Sequence, residues 1–334
     1  MKVFITGLAG FLGASLGQRL ADDGHEIYGN DNLIGGYEDN IDKRFHFFQT
    51  DCCDLEEMTK IIPDNTDVIF HCAATAYEGL SVFSPSFVTK NIFEASVSTV
   101  TASINKKVKK FIFCSSMARY GDLRSPFTED MKSKPVDPYG IAKVASEDVI
   151  INLCNLHGVD WTILVPHNIV GPKQKYDDPY RNVMSIFLNK MLRNEQIYIY
   201  GDGMQKRCFS YIDDCLASMV ECMGHNLSSK QIINIGPDEQ PITIKALAEI
   251  CSNAVGHNQE PIFVNDRPLE VKYASCSSDK ARRLLNYKTK FTVEESVLNT
   301  LEYIKKRGTR EFNYHIPLEI QNHLTPETWK NKLI

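Results

Sequence analysis

The sequence predicts an α/β fold, a doubly wound parallel sheet with a smaller C-terminal α/β lobe. Three observations predict it. The first half alternates short β-branched or apolar runs with longer amphipathic stretches, the pattern of right-handed βαβ crossovers. After Gly171-Pro172 that alternation loosens. With 334 residues, 43% of them hydrophobic, the chain can bury one large core or two smaller ones.

In order, strands are expected at Lys2–Thr6, 26–29, 45–49, Val68–His71, 111–114 and 161–165. Helices are expected at 13–22, 55–62, 86–105 and 139–157. A polar loop, KQKYDDPYRN, then precedes a helix at 183–193 and a short strand at 196–200. Residues 232–235 read as one more sheet strand, and Ile244–Val255 and 294–306 as helices among irregular segments. The expected division is a sheet domain at 1–172 with a return near 208–236, and a lobe from 173–207 and 237–334. The tail after Gly308 carries no motif.

A net charge of −5 and a pI near 6.0 leave no footprint for nucleic acid. Lys106, Lys107, Lys109 and Lys110 cluster between a helix and a strand and read as a solvated turn. Of the ten cysteines, Cys72, Cys114, Cys154, Cys215 and Cys251 lie in apolar runs, where a thiol behaves as a small buried hydrophobe. No zinc spacing occurs, so no metal is expected. The glycines at the start make a poor signal peptide, and no run approaches the roughly 20 apolar residues of a membrane span. A reducing cytoplasm and no membrane partner are the expectation.

TGLAGFLG, residues 6–13, follows the first strand and opens the first helix. Gly7 permits a tight turn, Gly10 lets backbone approach a pyrophosphate on the helix N-terminus, and Gly13 allows close packing. This is a Rossmann-type dinucleotide loop, and Asp31, about 20 residues on, strengthens it. An acid there binds both ribose hydroxyls and repels a 2′-phosphate; its neighbours Asn30, Asn32 and Leu33 offer no cation. NAD is therefore expected rather than NADP. The alternative is an ordinary turn aspartate.

Two more segments suggest catalysis. Cys114-Ser115-Ser116 ends a strand at the carboxyl edge, where open α/β sheets bind ligands. Tyr139 and Lys143 stand one helical turn apart on one face. A phenol titrates near about 10, and a nearby ammonium together with oxidised nicotinamide favours the phenolate. Ser116 can hydrogen-bond the same substrate oxygen.

The ordered set Gly7, Gly10, Gly13, Asp31-Asn32-Leu33, Ser116 and Tyr139-x-x-x-Lys143 resembles the extended short-chain dehydrogenase/reductase family, nearest its nucleotide-sugar epimerase/dehydratase branch. The likeness runs to about residue 306. It implies catalysis by Ser116, Tyr139 and Lys143, and a cofactor site that adds Phe11, Leu12, Asp51, Cys52, Ala73, Asn91, and again Tyr139 and Lys143, to the loop glycines, Asp31 and Asn32. Asp51 resembles the acid on the adenine, or is a plain strand-end loop residue; Asn91 shapes the site or only packs a helix. It implies that Ser116, Met117, Asn168, Arg207, Arg267 and Glu270 bind a nucleotide-diphosphate sugar, although both arginines also suit surface ion pairs. His167 reads as a packed neighbour rather than an acid.

In this branch, dehydratases carry an acidic pair after the serine and C3/C5 epimerases a cysteine nearby. Here Met117 and Ala118 occupy those positions, and neither moves a proton. The resemblance then implies 4-epimerisation of a UDP-hexose or derivative through a 4-keto sugar. A nucleotide-sugar 4-dehydrogenase or reductase, or a dehydratase, on the same scaffold and a non-catalytic NAD-sensing module are the alternatives. Glu78 and Arg119 are unusual polar residues near the site and suit contacts to a sugar substituent. The wide apolar span of 139–157 (Ile141, Val144, Ala145, Ile150, Ile151, Leu153, Cys154), with 86–105, suits the family's dimer contact or a deeply buried helix.

Overall fold

The computed structural model describes residues 1–334 apart from His225 and Gln240. Among the described residues, seven parallel strands form the central sheet: β1 (Lys2–Thr6), β2 (Glu26–Asp31), β3 (His46–Gln49), β4 (Val68–His71), β5 (Lys110–Cys114), β6 (Asp160–Pro166) and β7 (Gln231–Ile235). They run in the order β3-β2-β1-β4-β5-β6-β7. The order reverses between β1 and β4, which opens a crevice at the carboxyl ends of these two strands.

Alternation along β1 shows how the layers form. Val3 and Ile5 face one core, Phe4 the other, and all three are fully buried. On the first face lie α1 (Phe11–Asp22), α6 (Ile212–Gly224) and α8 (Asp279–Leu285), through Leu16, Cys215 and Leu285. On the second lie α2 (Leu55–Ile61), α3 (Ala95–Asn105) and α4 (Pro138–His157), through Met58, Val100 and Ile150. Residues 279–285 thus pack with the sheet. The lobe has its own core, made by α5 (Val183–Leu192), α7 (Ile244–Val255) and α9 (Val293–Arg307) around Phe187, Leu247 and Leu301.

Three readings of the sequence are revised. The helix expected over 86–105 is interrupted. Pro85–Thr89 is followed by a π turn at Lys90–Glu94 and then α3. There the Asn91 side chain donates to the Phe87 carbonyl (2.8 Å), which an undistorted helix gives to the Asn91 backbone N–H. Lys110 is not in a solvated turn: it is buried in β5, with Nζ 3.1 Å from Ser228 Oγ and 3.2 Å from Asp160. Arg119 is buried in the core, where it pairs with Glu147 at 3.0 Å and donates to Tyr120 Oη at 3.2 Å. All ten cysteines are free thiols, and Cys72 Sγ lies 3.6 Å from Cys114 Sγ.

Candidate active site

One cleft of ≈ 480 Å³ runs from the glycine loop across the carboxyl ends of the strands into the lobe. Every residue that the sequence assigns to cofactor, catalysis or substrate lines it, except Arg119.

The cofactor end follows from local packing. Gly7 has φ +71°, and a Cβ there would stand 2.9 Å from the Ala73 Cα, so loop and β4 end are in backbone contact. Gly13 sits still closer: its Cβ would lie 2.1 Å from the Gly7 carbonyl oxygen, so the helix closes onto its own loop. Below the loop, His71 is buried between Thr6 Oγ1 (2.8 Å) and Ser96 Oγ (3.0 Å), and burial lowers its pKa to about 3. It is a neutral brace for the Thr6 hydroxyl, which also accepts the Ala73 N–H at 3.1 Å.

Asp31 ends β2 with Oδ2 accepting the Ala9 N–H (3.1 Å) and Oδ1 the Leu33 N–H (2.7 Å). Each oxygen keeps a second acceptor site, which suits two ribose hydroxyls. Burial raises the Asp31 carboxyl while these N–H groups pull it down. At Gly10 a Cβ would stand 3.1 Å from the Gly7 carbonyl oxygen and 3.9 Å from Asp31 Oδ2, so a side chain would crowd the turn, and the bare backbone at the N-terminus of α1 suits the close approach of a pyrophosphate. A dinucleotide therefore fits. Asp51 accepts from Cys53 N–H (2.8 Å) and Asn32 Nδ2 (3.1 Å); burial opposes the charge, yet these bonds hold its carboxyl below the ordinary value.

The reactive end is set by α4. Asp137 caps it by accepting the Gly140 N–H at 2.8 Å, Pro138 starts it, and Gly158 ends it at φ 73°. This fixes Tyr139 and Lys143 on the face that meets β5. Ser116 stands beside Tyr139, where it favours the phenolate, and its hydroxyl oxygen accepts the Ala118 N–H at 3.2 Å. Lys143 is oriented differently from the sequence expectation. Its ammonium donates to the Cys114 carbonyl (2.7 Å) and stands 4.7 Å from the Phe113 ring, and burial brings it down to about 8. Burial pushes the Tyr139 phenol well above its ordinary value, helped by Glu78 and Asp137; Ser116 and the Arg181 cation pull it back.

At the lobe end, Lys206–Arg207 pairs antiparallel with Ile242–Thr243 and parallel with Tyr273–Ala274, a small ribbon that aims Arg207 into the cleft. Arg207 and Arg267 converge on Glu270, at 3.0 Å and 2.6 Å. They are ion-paired, but inside the cleft rather than on the surface. Asn168, at φ 43°, donates to the Cys208 carbonyl at 3.0 Å. His167 is packed below, 2.9 Å from the Pro237 carbonyl, and does not line the cleft.

Some cleft residues had no motif to announce them. Arg181 lies 4.6 Å from the Tyr77 ring and 3.5 Å from Asp178. Glu78 is open to solvent in the cleft, yet the enclosing walls and Asp137 push its carboxyl up to about 7. The tail supplies Trp329 and Ile334. A polar residue inside an otherwise apolar stretch was the one available signal, and it singled out Glu78 alone.

The family described as "NAD dependent epimerase/dehydratase family" matches residues 3–236. A UDP-glucose 4-epimerase of Mycolicibacterium smegmatis is 30% identical over 318 residues, covering 92% of this chain and 100% of that protein. Among solved structures, the UDP-glucose 4-epimerase of Thermotoga maritima with UDP-glucose has a TM-score of 0.85 at 30% identity, covering 92% of this chain and 99% of that one. The UDP-glucuronic acid 4-epimerase of Bacillus cereus, in complex with UDP-glucuronic acid and NAD, has a TM-score of 0.83 at 27% identity, covering 92% and 100%.

Proposed function

Because this chain belongs to the NAD dependent epimerase/dehydratase family, we propose that it interconverts the C4 epimers of a UDP-hexose or a derivative of one. The observation that carries the proposal is one cleft joining a dinucleotide cradle to the Ser116–Tyr139 pair, with Met117 and Ala118 beside them. NAD is the cofactor, and when bound it accepts and returns the hydride. Its diphosphate belongs on Gly7, Gly10, Phe11 and Leu12, its ribose on Asp31 and Asn32, its adenine beside Asp51 and Cys52, and Ala73 and Asn91 close the pocket.

Tyr139 takes the proton from the C4 hydroxyl and later restores it, and Ser116 holds that oxygen in place. Burial raises the Tyr139 phenol, and Ser116 and the Arg181 cation favour the ionised form that takes the proton. Asn168, Arg207 and Arg267 hold the nucleotide diphosphate. Glu270 partners both arginines, so neither cation is buried unpaired when the diphosphate is away. A keto-sugar held by its diphosphate can turn its other face to the hydride, which yields the epimer with no net redox change.

Glu78 supports a second reading. A carboxyl near neutrality in the cleft can carry the extra proton that elimination of water requires. Purified protein incubated with UDP-glucose, UDP-glucuronate or UDP-N-acetylglucosamine, without added NAD, separates the two. An equal-mass C4 epimer by mass spectrometry and NMR supports epimerisation; loss of water supports elimination. Accumulating NADH only on addition of NAD refutes both. Tyr139→Phe should lower turnover by roughly 10²–10⁴-fold while bound NAD is retained.

We also propose a homodimer through α3 and α4. The π turn that leads into α3 leaves Phe93 exposed, and α4 leaves Ile141 and Leu156 exposed, the last at 74%, which suits a second copy better than water. Sedimentation at micromolar concentration as a monomer refutes it. Ten free thiols suit a reducing cytoplasm. No helix among the described residues is long and apolar enough to cross a membrane.

A further inference from the structure

Glu78 opens a single helical turn, Glu78–Ser81, between the end of β4 and the rest of the cleft wall. That turn is held from two sides. The Ser81 hydroxyl donates to the Glu78 carbonyl at 2.7 Å and lies 3.5 Å from Oδ1 of Asp137, the residue that caps α4. On the lobe side, a Cβ on Gly79 would stand 3.0 Å from Arg267 Nη1. Glu78 itself lines the cleft and is exposed, and its carboxylate has no hydrogen-bond or ion-pair partner among the described residues.

The charges that act on Glu78 come from both of those sides. Asp137 and Tyr139 belong to the start of α4; Arg207, Arg267 and Glu270 belong to the lobe. In a nucleotide-sugar site these groups mark the two ends of the glycosyl unit. The arginines take the diphosphate that carries the sugar, and Tyr139 works on its C4 hydroxyl. A side chain within electrostatic reach of both ends, and open to the cleft, faces what lies between them.

The cations nearby are engaged elsewhere. Arg207 and Arg267 pair with Glu270 at 3.0 and 2.6 Å, Arg181 with Asp178 at 3.5 Å, and Lys143 donates to the Cys114 carbonyl at 2.7 Å. A carboxylate accepts readily from a sugar hydroxyl or amide N–H. A second carboxylate would bring a like charge into an enclosed site, where the repulsion is stronger than in water.

We propose that Glu78 is a specificity residue whose carboxyl group faces the glycosyl unit and selects a neutral sugar, hexose or N-acetylhexosamine, over a hexuronate. This rests on the proposed reading of the cleft as a nucleotide-sugar site. A repulsive group of this kind sets preference without adding affinity. Burial first, and then Asp137, raise the Glu78 carboxyl to about 7, with Glu270 adding to the rise and Arg207 and Arg267 opposing it. The repulsion therefore strengthens as pH rises through that value.

Calorimetric titration of the NAD-loaded protein with UDP, UDP-glucose and UDP-glucuronate tests this. At about pH 8, wild type should bind UDP-glucose roughly 10-fold or more tightly than UDP-glucuronate. Glu78→Gln should shrink that ratio by roughly 10-fold and leave the affinity for UDP within about 2-fold of wild type, which also shows the variant to be folded. At about pH 6, where Glu78 holds its proton, the wild-type preference should narrow, whereas that of Glu78→Gln should not change. An unchanged ratio in Glu78→Gln overturns the proposal, as does a wild-type preference for UDP-glucuronate. Equal losses for UDP and both sugar nucleotides place Glu78 on the diphosphate arms and overturn it too. If wild type binds none of the three ligands, the reading of the cleft itself fails, an outcome distinct from all of these.

Discussion

Gly13→Ala tests the packing of the glycine loop most directly. Position 13 lies inside α1, where alanine by itself would favour the helix by about 1 kcal/mol. The added Cβ, however, would stand 2.1 Å from the Gly7 oxygen and 2.8 Å from the Gly7 carbonyl carbon, both backbone atoms. Normal contact requires α1 to retreat by about 1 Å, since nonbonded carbon and oxygen prefer well over 3 Å. That retreat strains the Gly10 N–H to Gly7 carbonyl bond, now 3.0 Å and worth about 1 kcal/mol, and adds about 1–3 kcal/mol of overpacking. The net cost should be on the order of 2 kcal/mol. Gly17→Ala is the control on the same helix, because its Cβ meets only side-chain ends, Leu8 Cδ1 and Phe45 Cζ, both at 2.9 Å. It should be destabilised by less than Gly13→Ala. Urea unfolding followed by circular dichroism gives the stabilities, and chromatography of nucleotide released on denaturation gives the NAD content. Gly13→Ala should lose most of its NAD, and Gly17→Ala should keep it. Wild-type NAD occupancy in Gly13→Ala, with stability within 0.5 kcal/mol of wild type (about the size of an ordinary surface substitution), would refute the close-approach argument.

Lys143 predicts a pH dependence. Its folded pKa, about 8, lies below its ordinary 10.5, so between these values the unfolded chain binds more protons and stability rises with pH. Wild type should therefore gain up to about 3 kcal/mol on Lys143→Met between pH 8 and 10.5, and identical pH profiles in urea unfolding would contradict it. Activity should fall over the same interval as the ammonium on the Cys114 carbonyl is lost. Glu147→Gln should leave the buried Arg119 charge without its counter-ion and cost about 3 kcal/mol. The double variant Arg119→Met/Glu147→Leu should recover most of that loss by the same assay; failure to recover would show that shape, not charge, is what the pair supplies.

The cofactor end was legible because its chemistry depends on what local sequence dictates. A strand, three glycines and a helix start are contiguous, and Asp31 follows at the end of the next strand. Tyr139 and Lys143 share one helix face, so their placement also needed no tertiary information. Their electrostatics did. Spacing puts a cation one turn from the phenol, but only the end of β5 shows that the Cys114 carbonyl holds that cation, and only the polar loop before α5 brings Arg181 near Tyr139. Arg119 failed for the same reason in reverse. It sits three residues from Ser116, and a 3₁₀ turn at Met117–Tyr120 directs it to the core.

Trp329 marks the limit of motif reading most clearly. Its place is set by contacts with Phe83 and Tyr180, each more than 120 residues away in sequence, and no periodicity within the tail encodes that convergence. What the sequence does carry is cost. Ordering a tail of this length opposes folding by about 1–2 kcal/mol per residue, and Ile316, Trp329 and Ile334 are its large fully enclosed apolar side chains. Burying such a side chain returns roughly 1.5–3 kcal/mol, so the three together offset only a small part of that entropy. Hydrogen bonds to both walls and the rest of its packing must supply the remainder. Because Trp329 and Ile334 line the cleft, substrate should stabilise the tail against proteolysis more than it stabilises the sheet, whereas a tail that serves the fold alone would be protected no more than the rest of the chain.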